Sequence, residues 1–148
     1  EISCSLVGSE MCIRDRWSFG DEAYPILKDY MQMRERLRPY IRGLADRCHA
    51  DGTPIMRPLF FDFPEDPAAW EHRDAYMFGP DVLVSPVTRA GCTGKTVYLP
   101  AGAEWIEAES GKRWKGGQTV FCETPLAVLP LFVRADAELD WKLLRRTQ

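Results

Sequence analysis

The chain has 148 residues, a net charge of −3 and a hydrophobic content of 45%, so it can bury one ordinary core and is not disordered. Its lysines and arginines are scattered rather than gathered into a basic stripe, which excludes nucleic acid and an anionic membrane as expected partners. No run approaches 18 consecutive apolar residues, so the sequence predicts no membrane span.

The first 16 residues, EISCSLVGSEMCIRDR, do not continue into the pattern that follows them. They lack the positive start and apolar core of a signal peptide. They resemble one reading frame of a transposon-type sequencing adapter. We therefore expect residues 1–16 to be non-native and the genuine protein to begin at Trp17, with its true start missing. The alternative, a real N-terminal extension, stays open.

From Asp21 to about Ala50 the spacing predicts a helix. Ser18 or Asp21 can cap its start, Gly52 can end it in the left-handed conformation, and Pro39 should kink or split it. An unbroken helix of this length would run about 45 Å, so its apolar face needs a partner that this short chain does not supply. The predicted face contains Leu27, Tyr30, Met31, Leu37, Tyr40, Ile41, Leu44, Ala45 and Cys48.

After Gly52 the pattern changes to short strands, which predicts an antiparallel β-sandwich. Turn signals stand at Ser110-Gly111 and Gly116-Gly117, and the charged end, 136–148, is expected to be a short helix or a frayed tail. The predicted strands are Ile55 to Phe63, Val82 to Val87, Thr96 to Pro100, Glu104 to Ala108, Gln118 to Glu123 and Ala127 to Val133.

The densest acidic group, Asp62, Glu65 and Asp66, could suggest the carboxylate pair of a glycosidase. Because these acids stand among prolines, they are interpreted instead as a solvent-facing turn. Trp105 and Trp114 flank a predicted turn, and they could stack on sugars, but cross-strand core packing is the preferred interpretation.

The remaining motifs predict no catalytic, substrate-binding or metal-binding residue and no cofactor. The segment from Gly91 to Thr96 lacks the first glycine of a phosphate loop, and a strand rather than a helix is expected after it. Cys48 and His49 are helix neighbours that point about 100° apart, so they do not converge on a metal, and His72 is an ordinary loop residue.

The five cysteines lack the spacing of a zinc site or of a disulfide framework. Their odd number indicates free thiols in a reducing compartment, which favours a cytoplasmic location, although one disulfide is an open alternative. They stand at positions 4, 12, 48, 92 and 122.

Several sequence motifs occur in order along the chain, among them GTPIMRPL (52–59) and YMFGPDVLVSPV (76–87). These two segments are similar to the G-x-P-[VI]-M-R-P-L and Y-M-F-G-x-x-L-L-V-x-P-V motifs of glycoside hydrolase family 31, which the chain therefore resembles. The resemblance extends over most of the chain from Trp17 to Arg134; one departure is Asp136, where the family usually has glycine. Further matches are WSFG (17–20), LRPY (37–40), VYLP (97–100), Trp105, Gly116-Gly117 and Pro125 to Arg134.

The resemblance implies an α+β fragment: 17–52 as the last helix of a (β/α)8 barrel, 53–135 as a proximal C-terminal β-sandwich, and 136–148 as a tail. It implies a retaining parent enzyme that hydrolyses the O-glycosyl bonds of α-glucosides or α-xylosides, with an oligosaccharide substrate. The family's catalytic aspartates precede this segment, so the chain itself is expected to be inactive and to need the missing catalytic barrel as its partner. Arg57, Asp62 and Phe78 are expected at the seam between barrel and sandwich.

A competing hypothesis is a stand-alone, non-catalytic carbohydrate-binding or structural β-sandwich module. It predicts that oligosaccharide binds through Trp105 or Trp114. The fragment hypothesis predicts an exposed apolar helix face and no saccharide affinity.

Overall fold

The computed structural model describes residues 19–146. The expectations for residues 1–16, Trp17 and Ser18 lie outside this range. In the described part, no helix combines the length and hydropathy that a membrane crossing requires.

Two helices open the described chain. Helix α1 is Gly20–Arg36 and helix α2 is Arg38–Asp51, so the predicted helix is split at Leu37. Pro39 lies in the first turn of α2, where its missing N–H costs nothing. Gly52 ends α2 with a φ of 76°, as predicted. Asp21 is not the N-cap. It lies inside the first turn of α1, where its negative charge interacts favourably with the positive end of the helix dipole.

The strands that follow form two antiparallel sheets. The strands are β1 (Met56–Pro58), β2 (Tyr76–Phe78), β3 (Val82–Val84), β4 (Gly94–Leu99), β5 (Glu104–Glu107), β6 (Arg113–Lys115), β7 (Gln118–Glu123) and β8 (Leu131–Arg134). Six strands pair in the order β1-β2-β3-β8-β5-β6, and β4 pairs with β7. Two short helices, α3 (Leu59–Asp62) and α4 (Pro67–Glu71), lie between β1 and β2.

The six-stranded sheet separates two hydrophobic cores because its side chains alternate between its faces. On β3, Leu83 faces the two-stranded sheet, whereas Val82 and Val84 face the helices. On β8, Phe132 faces the two-stranded sheet and Val133 faces the helices. The layers are therefore helices, a central sheet and a smaller second sheet. The expected antiparallel β-sheet domain is confirmed.

Several predicted boundaries are wrong. The strand expected from Ile55 to Phe63 ends at Pro58, and the chain then turns into α3. The strand expected over 82–87 stops at Val84. Ser110-Gly111 does close the β5–β6 hairpin, but Gly116-Gly117 carries the chain from one sheet to the other. The segment expected over 127–133 becomes a strand only at Leu131.

The end of the described chain is ordered against the sheet and the helices. Arg134 donates two hydrogen bonds to Asp136, at 3.1 and 2.8 Å, and this pair shapes the turn after β8. A 3₁₀ helix, Trp141–Leu144, follows and buries Leu144 in the core shared with α1. The tail therefore contains a short helix, one of the two expected forms.

Two tyrosines fix the helices to the sheet domain. Tyr30 donates to the carbonyl of Ala127 (3.0 Å) and accepts from the N–H of Leu129 (2.9 Å). Tyr40 donates to the carbonyl of Phe78 (3.1 Å), and burial raises the pKa of both phenols. The predicted apolar face is only partly covered, since Met31 is 43% exposed.

Gly79 allows α2 to approach the loop after β2. It has a φ of +66°, and a Cβ at this position would lie 2.7 Å from Leu44 Cδ2 and would also collide with the hydroxyl of Tyr40. We predict that Gly79→Ala lowers the free energy of unfolding by about 3 kcal/mol, because the left-handed backbone and the steric conflict add together. Urea unfolding followed by circular dichroism measures this change.

Gly43→Ala is the matched control. Gly43 lies inside α2, and a Cβ added there would meet nothing within 4 Å. Alanine should therefore raise the free energy of unfolding by about 0.5–1 kcal/mol. Equal effects of the two substitutions would contradict the proposed role of Gly79.

Candidate functional site

The three acidic residues expected in a solvent-facing turn have different environments. Glu65 is exposed, Asp62 is mostly covered, and Asp66 is buried at 9% exposure. The expected solvent-facing position is therefore wrong for Asp62 and Asp66. The physical reason is that each carboxylate has partners inside the fold: three hydrogen-bond donors for Asp66 and the Arg57 guanidinium for Asp62.

Asp66 connects three parts of the chain through its carboxylate. Its Oδ1 accepts from the N–H of Ala68 (3.1 Å) and so caps α4. Its Oδ2 accepts from the hydroxyl of Tyr98 (2.7 Å) on β4 and from the N–H of Ala101 (2.8 Å) in the next loop. Burial by itself would raise the pKa of Asp66, but the hydrogen bonds from Tyr98, Ala101 and Ala68 outweigh it and lower this pKa.

Tyr98 is held at both its ring and its hydroxyl. The ring of His72 stacks on it with centroids 4.7 Å apart and planes 9° apart, while its hydroxyl donates to Asp66. Burial, reinforced by the Asp66 carboxylate, raises the pKa of Tyr98 to about 12. The role of His72 is thus aromatic packing at a loop, in agreement with its expected structural role.

Arg57 and Asp62, two of the residues expected at a domain seam, form a buried ion pair. Arg57 Nη2 lies 2.9 Å from Asp62 Oδ1, but the angles are not those of a hydrogen bond. Within residues 19–146, Arg57 Nε and Asp62 Oδ2 have no hydrogen-bond partner. Burial raises the pKa of Asp62 despite the nearby Arg57 charge. Phe78 lies elsewhere, 6.2 Å from the ring of Tyr40 on α2.

A group of large apolar side chains lies exposed next to this ion pair. We call it the aromatic surface: Met56 on edge strand β1, Phe60 and Phe61 on α3, and Trp70 on α4. These side chains are 59%, 37%, 50% and 53% exposed, respectively. Phe60 and Trp70 stack with centroids 4.5 Å apart, and Arg57 lies 5.4 Å from the centroid of the Phe61 ring.

A groove of about 490 Å³ runs along the aromatic surface. Met56, Phe60 and Trp70 contribute to its walls, together with the cationic residues Arg57 and Arg73. None of its described lining residues carries a carboxylate. The sequence-based prediction misses this surface because the apolar pattern over residues 59–62 predicts a strand. The feature that could have indicated a helical turn is Pro58, which directly precedes the four residues of α3.

The sequence-predicted acids do not form a glycosidase pair. Asp62, Glu65 and Asp66 do line one shallow depression of about 370 Å³. However, both oxygens of Asp66 already accept hydrogen bonds, and Asp62 is paired with Arg57. A retaining glycosidase instead needs a free carboxylate facing a protonated one across a substrate.

The tryptophans proposed for sugar stacking serve the core. Trp105 is fully buried and donates from Nε1 to the carbonyl of Pro100 at 3.2 Å, so no ligand can stack on it. Trp114 lies opposite Trp105 on β6, and the Lys112 ammonium covers its ring at 3.8 Å. The preferred interpretation of cross-strand packing is confirmed for this pair.

The other sequence motifs remain separate in space. The segment after Gly91 enters strand β4 rather than a helix, so it cannot bind phosphate as a phosphate loop does. Cys48 and His49 lie in the last turns of α2, and Cys48, Cys92 and Cys122 are free thiols. Within residues 19–146, no group of three or more potential ligands could hold a metal ion.

Comparison with known proteins gives a consistent set of relatives. The family model described as the glycosyl hydrolase family 31 C-terminal domain matches residues 52–138. An α-xylosidase from Saccharolobus solfataricus is 37% identical over 126 residues, which cover 85% of this chain and 17% of the relative. A 1,3-α-isomaltosidase from Kribbella flavida is 42% identical over 78% of this chain and 16% of the relative.

Solved structures show the same similarity. A family 31 α-xylosidase from a soil metagenome, crystallised with xylose, has a TM-score of 0.81 and 46% identity, covering 86% of this chain and 19% of that chain. A cycloalternan-degrading enzyme from Trueperella pyogenes, in complex with cycloalternan, has a TM-score of 0.74 and 35% identity, covering 78% of this chain and 16% of that one. The chain thus spans about a sixth of the length of the curated relatives it matches.

The Asp66 contacts predict a large effect of a single substitution. Asp66→Ala removes the α4 cap and leaves the Tyr98 hydroxyl and the Ala101 N–H without their acceptor. We expect a loss of about 3 kcal/mol in the free energy of unfolding, measured by urea titration. The exposed neighbour Glu65→Ala is the control and should change it by less than about 0.5 kcal/mol.

The same contacts predict two pH limits of stability. Because the pKa of Asp66 is lowered on folding, its contribution is complete above about pH 4 and is lost as pH falls through the folded pKa. Because the pKa of Tyr98 is raised to about 12, its contribution is complete below about pH 10 and is lost as pH rises towards 12. Urea unfolding curves at a series of pH values, recorded for the native chain, Asp66→Asn and Tyr98→Phe, measure both pH limits. If the free energy of unfolding changed with pH in the same way in a variant as in the native chain, that result would contradict the assignment of the limit to the substituted residue.

Proposed function

Since the chain belongs to glycoside hydrolase family 31, we propose that it is the C-terminal part of a retaining α-glycosidase that acts on α-glucosides or α-xylosides. The observation that carries the proposal is the family match over residues 52–138, combined with 37–46% identity to α-xylosidases over about 85% of the chain. The parent's oligosaccharide substrate is inferred from relatives such as the cycloalternan-degrading enzyme, whose structure contains cycloalternan.

In this proposal, the reaction takes place outside the described residues. Retaining hydrolysis needs one carboxylate as nucleophile and a second as acid and base, about 5–5.5 Å apart. The carboxylates of Asp62 and Asp66 are used for an ion pair and a helix cap, and so they hold the domain together instead. The chain's own contribution is a folded sheet domain that presents a preformed surface.

We further propose that the two helices belong to the catalytic barrel of the parent and the strands to the sandwich behind it. The support is the arrangement of the layers: α1 and α2 pack on the sheet through Tyr30, Tyr40 and one shared core. Phe78 lies at this helix–sheet contact, and Arg57 and Asp62 lie beneath the aromatic surface. A cytoplasmic location is likewise a proposal, supported by the free thiols of Cys48, Cys92 and Cys122 in the described part of the chain.

We predict that the purified 148-residue chain hydrolyses neither p-nitrophenyl α-D-glucoside nor p-nitrophenyl α-D-xyloside, because the carboxylates of the candidate acids Asp62 and Asp66 are already engaged by an ion pair and by hydrogen bonds. Release of p-nitrophenol, with a family 31 α-xylosidase as positive control, measures this. Turnover that survives further purification and disappears in Asp62→Asn would overturn the proposed non-catalytic role.

Calorimetry with maltose and isoprimeverose distinguishes the proposed function from the alternative, a stand-alone carbohydrate-binding module. Trp105 is fully buried, so Trp114→Ala is the informative variant. Under the proposed function neither sugar gives heat of binding, in the native chain or in the variant. Saturable binding that Trp114→Ala abolishes would favour the module.

Sequencing of the source DNA upstream of the Trp17 codon is the complementary test, since a reading frame with paired aspartate motifs is expected there.

A further inference from the structure

We propose that a pocket between two loops of this domain binds a small tetrahedral oxyanion, that is, a phosphate or sulfate group. The pocket has a volume of about 340 Å³. One of its loops, 87–92, joins β3 to β4, and the other, 124–128, follows β7. We call it the loop pocket. The inference is independent of the reaction proposed for the parent enzyme, because none of the acids discussed above lines this pocket.

The charge of the lining favours an anion. Among the described lining residues, Arg89 carries the only charge, and none carries a carboxylate. Arg89 is exposed and makes no ion pair or hydrogen bond within residues 19–146. Its planar guanidinium presents several N–H donors that match the oxygens of a phosphate or sulfate group. The adjoining Lys95 and Asp74 pair with each other at 2.9 Å, so together they add no net charge beside the pocket.

The backbone of the first loop supplies further donors. The N–H groups of residues 88–92 donate no hydrogen bond within residues 19–146. Residues 89–91 form a turn, in which Gly91 has a left-handed φ of 74°. Successive N–H groups in a turn of this kind can converge on an anion. An anion at this loop therefore competes only with water for these donors.

Thr124, on the second loop, has a hydroxyl that lacks a partner. Thr124 is only 2% exposed, and its Oγ1 is buried without a hydrogen-bond partner within residues 19–146. The residue nevertheless contributes to the wall of the loop pocket. A buried hydroxyl without a partner destabilises a fold, and such groups in proteins call for an explanation. An oxyanion seated at this wall would give the hydroxyl an acceptor.

The loop pocket is not the phosphate loop that the spacing after Gly91 excludes. A phosphate loop gains affinity from the N-terminus of the helix that follows it, whereas Gly94 here begins strand β4. The donors of the loop pocket belong instead to the turn before this strand and to the side chains of Arg89 and Thr124. Because one cation and no helix dipole act on the ligand, we expect a Kd on the order of 1 mM.

The test is a titration of the purified 148-residue chain with inorganic phosphate, followed by heteronuclear amide NMR. The amide signals of residues 88–92 should shift saturably, and sodium chloride at equal ionic strength should not reproduce the shift. Arg89→Gln should raise the Kd for phosphate by about tenfold or more, because it removes the charge-assisted hydrogen bonds. The matched control, Arg113→Gln, changes an exposed arginine on β6 outside the pocket, and it should alter the Kd by less than about twofold.

Thr124→Val separates a binding role from a structural one. Valine has nearly the same shape but no hydroxyl, so the free energy of unfolding in urea should stay equal or rise. The Kd for phosphate should rise by about threefold, because one neutral donor is lost. Unchanged affinity with lower stability would contradict the part assigned to this hydroxyl. If the variant fails to fold, the comparison of Arg89→Gln with Arg113→Gln decides the inference.

Cys92 gives a second readout at the wall of the loop pocket. It is a partly exposed free thiol that lines the pocket, and Cys48 on α2 is a partly exposed free thiol outside it. Saturating phosphate should slow the alkylation of Cys92 by iodoacetamide about threefold and leave that of Cys48 unchanged, since only one thiol is covered by the ligand. Peptide mass spectrometry resolves the two sites. Equal alkylation of Cys92 with and without phosphate would count against the pocket as the binding site.

A comparison of ligands identifies the source of the anion. If glucose 6-phosphate binds about tenfold more tightly than inorganic phosphate, the ligand is a phosphorylated sugar, and similar affinities for phosphate and sulfate indicate the free anion. The inference is overturned if none of the three shifts the signals of residues 88–92 saturably, or if Arg89→Gln responds like the native chain. Neither of these results affects the proposed glycosidase role, which depends on the family match and not on the loop pocket.

Discussion

The carboxylate of Asp66 is the interaction on which the arrangement of this domain depends. It caps α4, binds the Tyr98 hydroxyl on β4 and accepts from the N–H of Ala101. The most distant of these donors, Ala101, lies 35 residues from Asp66 along the chain. Because three hydrogen bonds outweigh the cost of burial, the charged Asp66 carboxylate can be buried against β4 and can fix the position of the segment that connects β1 and β2.

That connection determines where the aromatic surface lies. Helix α3 follows Pro58 directly and α4 follows Asp66, so a fixed Asp66 also fixes the stack of Phe60 on Trp70. Beneath it, the Arg57–Asp62 pair is costly to bury and is incompletely hydrogen-bonded. Such a pair contributes little net stability, and its value lies in holding the Phe61 ring and the edge strand in one arrangement.

Polar and aromatic residues of this domain therefore have different structural roles. Polar groups that could suggest catalysis are used to position loops. Of the large aromatic side chains, Trp105 is buried in the core, whereas Phe60 and Trp70 stack on each other at the surface. Family membership by itself assigns no reaction to these residues, because one fold hosts many functions and the chemistry is carried by particular sites.

The sequence by itself determined that the helix is split near Pro39, that it ends at Gly52 and that antiparallel strands follow, because proline, glycine and alternating apolar residues act locally. It also indicated the family through its ordered motifs. It also indicated that Trp105 and Trp114 pack across strands. Only the tertiary structure decided that Asp66 is buried and that residues 59–62 form a helical turn. Those outcomes depend on partners such as Tyr98 and Ala101 that are distant in the chain, and no local pattern encodes a hydrogen bond to a residue 32 positions away.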